Sequence, residues 1–188
     1  MKSVRLDSER LVLRELNDDD VNDIVSGANN PNVSKLMSVI PYPYGIEDAR
    51  AFVSHSNEER NKNPRPGYKL AIEWQGNFTG VIGLTSVDSF VGTATLGYWI
   101  SEEFWKKGIG SEAGRRIVRF AFEELKLRRI NVLVFAENTP SKILIEKLGF
   151  AYEGRGIASE RSVATGNIHD SLLYGMLREE WEKFSQKE

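Results

Sequence analysis

Phe104-Trp105-Lys106-Lys107-Gly108-Ile109-Gly110-Ser111-Glu112-Ala113 is the stretch on which the reading of this sequence turns. Two glycines one residue apart stand at the mouth of a long segment with helical periodicity. Ala113, Ile117, Ala121 and Leu125, joined by Val118 and Phe122, fall on one stripe at about 100° per residue. Arg115, Arg119 and Lys126 fall opposite, and Glu124 intrudes on the apolar side. The pattern predicts a helix over residues 110–126. Its first turn carries unpartnered N–H groups and the positive end of the macrodipole. Glycine lets main chain come close to a phosphate, and Lys106 and Lys107 add charge at the rim.

The local signal alone says phosphate and no more. Gly108, Gly110 and Ala113 also satisfy a loose Gly-x-Gly-x-x-Ala dinucleotide fingerprint. That fingerprint needs a strand running straight into the first glycine, whereas residues 101–107 separate the two here. A Gly-x-x-x-x-Gly-Lys-Ser/Thr phosphate loop is absent. The glycines could also serve only as a tight entry turn.

Outward from the turn, three strands precede it at residues 68–74, 78–87 and 93–100. Gln75-Gly76-Asn77 and residues 88–92 are suited to hairpin loops, so this is an antiparallel meander. After the helix the pattern alternates. Residues 130–135 form a nearly continuous apolar strand, the form expected when both faces are covered. A compact helix spans 139–148, with Pro140 in its first turn, Gly149 ending it and Phe150 folding back. Strands at 151–161 and 168–177 and a short amphipathic tail follow.

Near the start, Leu11-Val12-Leu13 opens the chain as a strand. A helix over 16–28 has Asn17, Asp18, Asp19 and Asp20 at its positive end. Residues 29–45, with three prolines, form an irregular loop with one short helical turn. Its Leu36, Met37, Tyr42 and Tyr44 either pack on the core or wall a binding site. A polar helix over 47–61 ends at Asn63-Pro64-Arg65-Pro66-Gly67. The fold class is α+β: one domain, residues 1–188, with a mixed, mainly antiparallel sheet and a β-α-β-α segment inside it.

Bulk properties narrow the function. With 40% hydrophobic and 28% charged residues the chain suits a soluble globular protein. A net charge of −2 and a pI near 5.9 argue against direct nucleic-acid binding. The cluster Lys126-Leu127-Arg128-Arg129 reads as a solvated helix end. There is no cysteine, and His55 and His169 have no metal-ligand spacing, so no metal site is expected. No apolar run is long enough for a membrane span, and the N-terminal run from Met1 is charged rather than apolar. A cytoplasmic protein is expected.

Taken in order, these pieces resemble the GNAT superfamily of N-acetyltransferases, and within it the RimJ/RimL-like group that acetylates N-terminal amines of ribosomal proteins. Arg10-Leu11-Val12-Leu13-Arg14 is similar to that group's opening strand. Leu96-Gly97-Tyr98-Trp99-Ile100 and residues 104–113 are similar to its fourth strand and acyl-CoA loop. Asn138-Thr139-Pro140-Ser141 and Lys147-Leu148-Gly149-Phe150 are similar to its second motif helix.

The resemblance implies acetyl-CoA as the acyl donor, held in a gap between two splayed parallel strands. It implies that Lys106, Lys107, Gly108, Ile109, Gly110 and Ser111 hold the pyrophosphate. Trp99 and Ile100, on the splayed strand, would offer backbone to the pantetheine arm, and Asn138 would either bond that arm or cap the helix that follows. Where many members carry a Gln or Arg, this chain has Trp105, as is usual in the RimJ/RimL-like group. The position of a frequent catalytic tyrosine is Ile145, and the resemblance implies Ser141 as the candidate acid, a residue that could otherwise serve as a helix-cap hydroxyl. Glu160 is the candidate base, with His169 as a fallback.

The acceptor implied is a ribosomal-protein N-terminus. Another amine, such as a polyamine or antibiotic, would want an acidic cleft to which Glu102, Glu103 and Glu137 could contribute. Residues 161–167 exceed the RimL-like length in a connection expected to border the acceptor. A homodimer is a further expectation from the resemblance. Two other readings stand beside it: a non-catalytic acyl-CoA-binding module and a nicotinamide-dependent oxidoreductase.

Overall fold

The computed structural model describes residues 3–186; Met1 and Lys2, which begin the charged N-terminal run, lie outside them, as do Lys187 and Glu188. Eight strands form one sheet: β1 (Arg5–Asp7), β2 (Leu11–Glu15), β3 (Tyr68–Trp74), β4 (Asn77–Asp88), β5 (Thr93–Ile100), β6 (Arg129–Phe135), β7 (Ala151–Arg161) and β8 (Ile168–Leu177). Their spatial order is β1-β2-β3-β4-β5-β6-β8-β7. Every neighbouring pair is antiparallel except β5 and β6. The helices are α1 (Val21–Ala28), α2 (Pro31–Ser34), α3 (Ile46–Arg60), α4 (Ile109–Glu123), α5 (Thr139–Lys147) and α6 (Arg178–Ser185). The fold is α+β, as the sequence predicts. No helix among the described residues is long and apolar enough to cross a membrane.

The sheet separates two cores because successive strand side chains point to opposite faces. Leu96 and Ile100 of β5 pack on one face with Ile117, Val118 and Phe122 of α4 and Ile145 of α5. Trp99, between them in sequence, joins Ile24 of α1 and Val53 of α3 on the other. The stripe from Ala113 to Phe122 is buried, which accounts for α4 lying across the sheet.

Several boundaries differ from expectation. β1 was not anticipated, since three residues with a single buried side chain, Leu6, carry no readable period. The first helical segment begins as a 3-10 turn at Asp18–Asp20, with Asn17 accepting from the Asp19 N–H, and only then becomes α1. Helix α4 stops at Glu123, three residues early. Lys126 adopts a left-handed φ of 57° and the Leu127 N–H returns to Ala121 O; Glu124 is exposed and faces Arg116 at 3.4 Å rather than the apolar stripe. Of the basic cluster, Lys126 and Arg128 are exposed, but Leu127 is buried and Arg129 begins β6.

The most consequential difference concerns β6. Its apolar run suggests two covered faces, yet Leu133 is 51% exposed. The cause lies in the parallel pair. β5 and β6 pair only from Thr93–Thr95 to Arg129–Asn131, and the ladder then ends. Each strand keeps its outer partner, β4 for β5 and β8 for β6, while the inner edges part.

Candidate active site

A cavity of about 580 Å³ opens where β5 and β6 diverge. Its walls are the ends of those two strands, the turn into α4, the first turn of α5, residues 32–38 around α2, and Glu160 and Ser171 from the last two strands.

The turn is shaped residue by residue. Trp105 donates its indole N–H to Ile100 O at 2.7 Å, folding the chain back after β5. Lys106 takes a left-handed φ of 61° and Gly108 one of 79°, a region glycine enters without steric cost. Helix α4 then starts with Ile109. Gly110 serves close packing instead: a β-carbon there would lie 2.7 Å from Leu144 Cδ1 of α5, which would have to move aside. One glycine permits the turn and the other permits two helices to meet. The sequence assigns both to close approach of a phosphate, and neither conformation needs that explanation.

Behind the turn, the Glu112 carboxylate accepts from Ser8 Oγ (2.8 Å), the Arg10 N–H (2.7 Å) and Arg10 Nε (2.7 Å). The Arg10 guanidinium also reaches Lys107 O at 3.3 Å. Burial pushes the Glu112 carboxyl up, but the donors from Arg10 and Ser8 and the Arg10 charge outweigh it, leaving the group below the usual carboxylate range.

Of the residues singled out in the sequence, Trp99, Ile100, Lys106, Gly108, Ile109, Gly110, Ser111, Asn138, Ser141 and Glu160 all line the cavity. Lys107 does not. Its ammonium lies 4.9 Å from the Phe104 ring centroid and 5.4 Å from that of Trp74, held by cation–π attraction. Trp99 presents its strand position to the cavity while its ring packs against Phe78 in the second core. Lys147, at the end of α5, is a lining cation that sequence reading missed.

Asn138 caps α5, its Oδ1 accepting the Ser141 N–H at 3.2 Å. The Ser141 hydroxyl is free of that duty and lies 2.8 Å from Tyr98 Oη. Tyr98 is a second residue that sequence reading missed. Burial pushes its phenol up to about 12, against a smaller opposing effect from Ser141. It stays protonated across ordinary pH. Its place on β5 was legible, but its contact with a helix 43 residues on was not.

Glu160 owes its direction to a bulge. Gly156 is opposite Ser171 and Glu160 opposite His169, so four steps of β7 match two of β8. Asp170 holds the extra residues by accepting from the Ala158 N–H at 2.7 Å and Arg155 Nε at 2.8 Å. His169 lies outside the lining. Its ring stacks on Phe135 with centroids 4.4 Å apart, and Nδ1 is paired with the Glu137 carboxylate.

The loop over residues 29–45 does both things its composition allowed. Tyr44 is buried in the second core, while Leu36, Met37 and Ser38 line the cavity and Tyr42 is exposed. The Val163 N–H donates to Ser38 O at 3.2 Å, so the long β7–β8 connection meets this loop. None of the acids considered for a cleft lines the cavity. Glu102 accepts from Asn30 and Asn32, Glu137 faces His169, and Glu103 is outside the lining.

A cavity between splayed parallel strands, with a helix N-terminus at one end, excludes the nicotinamide reading, which needs a strand feeding directly into the glycine turn. The family model of the acetyltransferase (GNAT) domain matches residues 10–151. The chain belongs to this family. It is 28% identical over 174 residues to p20 of Bacillus licheniformis, an uncharacterized N-acetyltransferase, covering 93% of this chain and 96% of that one. It is 35% identical over 116 residues to YdaF of Bacillus subtilis (strain 168), named as a proposed ribosomal N-acetyltransferase, covering 62% of each. A solved structure of spermidine N-acetyltransferase from Vibrio cholerae with CoA and spermine superposes with a TM-score of 0.80 at 22% identity. The match spans 93% of this chain and 99% of that one, and shows a shared fold. As a GNAT protein the chain is an acetyl-CoA-dependent acetyltransferase.

Proposed function

We propose that this GNAT domain, taken as the whole of residues 1–188, transfers acetyl from acetyl-CoA directly to a protein N-terminal amine in the cytoplasm. One observation carries the choice of acceptor: Glu160 is the only carboxylate among the described residues that line the cavity. A polyamine brings several positive charges and would leave all but one without a counter-charge. A single N-terminal ammonium matches a single carboxylate. Leu36, Met37 and Phe135 give the surroundings of that amine an apolar character. The name of YdaF points the same way.

The cavity suits the donor substrate. Lys106 and Lys147 and the opening N–H groups of α4 supply positive potential for phosphates. Leu133 and Ile143, both more than half exposed, offer apolar surface to a pantetheine arm. The Asn138 amide nitrogen, opposite its capping oxygen, is available to an amide carbonyl of that arm.

In the reaction, Glu160 accepts a proton from the incoming ammonium, leaving a free amine. The nitrogen attacks the thioester carbonyl and a C–N bond forms. As the C–S bond breaks, Ser141 Oγ–H passes its proton to sulfur and regains one from solvent water. The second nitrogen proton leaves to water, giving a neutral amide and free CoA.

Initial rates with a peptide bearing a free N-terminus and with spermidine test the acceptor. The peptide should be favoured by at least about tenfold in kcat/KM. Faster turnover of spermidine would overturn the assignment.

A further inference from the structure

The Ser141 hydroxyl is a rotor, and a serine at the start of a helix has several directions in which to spend its single proton. One of them meets a second hydroxyl, and either oxygen of the pair can be the donor. Tyr98 Oη lies 2.8 Å from Ser141 Oγ, and both side chains line the cavity. Tyr98 itself has little freedom. It sits mid-strand on β5, opposite Ile82 of β4, and its ring packs against the main core. Ser141 is fixed from the other side by the bond from its N–H to Asn138. A rigid strand and a capped helix thus hold two hydroxyls together, and Ile145 fills the site where a tyrosine would otherwise project from α5.

We propose that Tyr98 is a positioning residue: its phenol donates to Ser141 Oγ, so that the Ser141 proton points at the CoA sulfur. A hydroxyl that accepts one hydrogen bond is the better donor of another, because the two polarise each other. The phenol suits this task, since its raised pKa keeps the proton in place at every pH at which the enzyme would work. Tyr98 gives up no proton and the proposal adds no covalent step. It rests on the reading of Ser141 as the acid at sulfur.

The titration of the thiol of bound CoA, followed by thiolate absorbance, tests this without any acceptor. A hydrogen bond to the charged form favours that form, so in the wild-type complex the thiol should titrate about one unit below free CoA. Ser141→Ala should abolish the shift, and Tyr98→Phe, which keeps the ring, should remove most of it. The double variant should match Ser141→Ala alone. A wild-type titration in Tyr98→Phe, or effects that add in the double variant, would overturn the proposal. Should Tyr98→Phe not fold, Ser141→Ala decides. A shift that persists there means that the phenol reaches the sulfur itself. Absence of CoA binding in the wild type would instead defeat the functional reading beneath it.

Discussion

Arg10 grips Glu112 twice, through its main-chain N–H and through Nε, each at 2.7 Å, and reaches on to Lys107 O. The residues stand 102 positions apart, and the pair fastens the glycine turn into α4 to the hairpin of β1 and β2. Arg10→Met should therefore loosen the turn as well as the fold. Because Arg10 is partly exposed, the loss of stability is expected at about 1–2 kcal/mol rather than the larger value of a fully buried pair. Calorimetric titration should show weaker acetyl-CoA binding, with little change in turnover once the donor saturates.

The same carboxylate gives the protein an acid-sensitive link. Glu112 has a folded-state pKa below its usual value. Its contribution is thus fully present above the unfolded-state pKa near 4.5 and is lost as pH falls through the lower folded-state value. Urea unfolding between neutral pH and pH about 3 should show a shallower loss of stability for Glu112→Gln than for the wild type.

The two glycines of the turn should respond differently to substitution. Gly108→Ala forces a β-carbon into a left-handed conformation, at a cost of about 1–2 kcal/mol. Gly110→Val instead drives a side chain into Leu144 and should separate α4 from α5, a loss of about 1–3 kcal/mol from overpacking. Pairing it with Leu144→Ala should recover part of that loss. No such recovery is expected for Gly108→Ala. Thermal unfolding of the four variants distinguishes the two causes.

Glu160→Gln and Ser141→Ala should each lower kcat with little effect on acetyl-CoA affinity. General acid or base removal typically costs about 100-fold or more. His169→Ala should cost far less, since Nδ1 is engaged by Glu137 and the ring is stacked on Phe135. Steady-state rates at saturating donor separate these outcomes, and loss of activity in His169→Ala alone would reverse the assignment of the base.

Much of the fold is legible in the sequence because its signals are local. Residues 68–74 and 93–100 alternate and are bounded by turn residues, and Ala113 to Phe122 repeat at the helical period. What escaped the sequence is set by contacts between distant segments. Leu133 looks like a doubly buried strand residue until β5 and β6 part beside it. Lys107 looks equivalent to Lys106, yet its ammonium rests over Trp74 and Phe104 and it does not line the cavity. Tyr98 carries no mark of its partner, since Ser141 is brought to it only by the packing of α5. Apart from Lys107, the motif residues of the candidate site line one cavity, whereas Glu102 and Glu137 find other partners and Glu103 lies outside the lining.

The most direct test of the account combines acetyl-CoA with a peptide bearing a free N-terminus, and with the same peptide blocked at that amine. Free thiol and intact peptide mass are followed together. The account predicts thiol release and gain of one acetyl group on the free peptide alone, with both lost in Glu160→Gln. Equal release with the blocked peptide, or none with either while acetyl-CoA still binds, would contradict it.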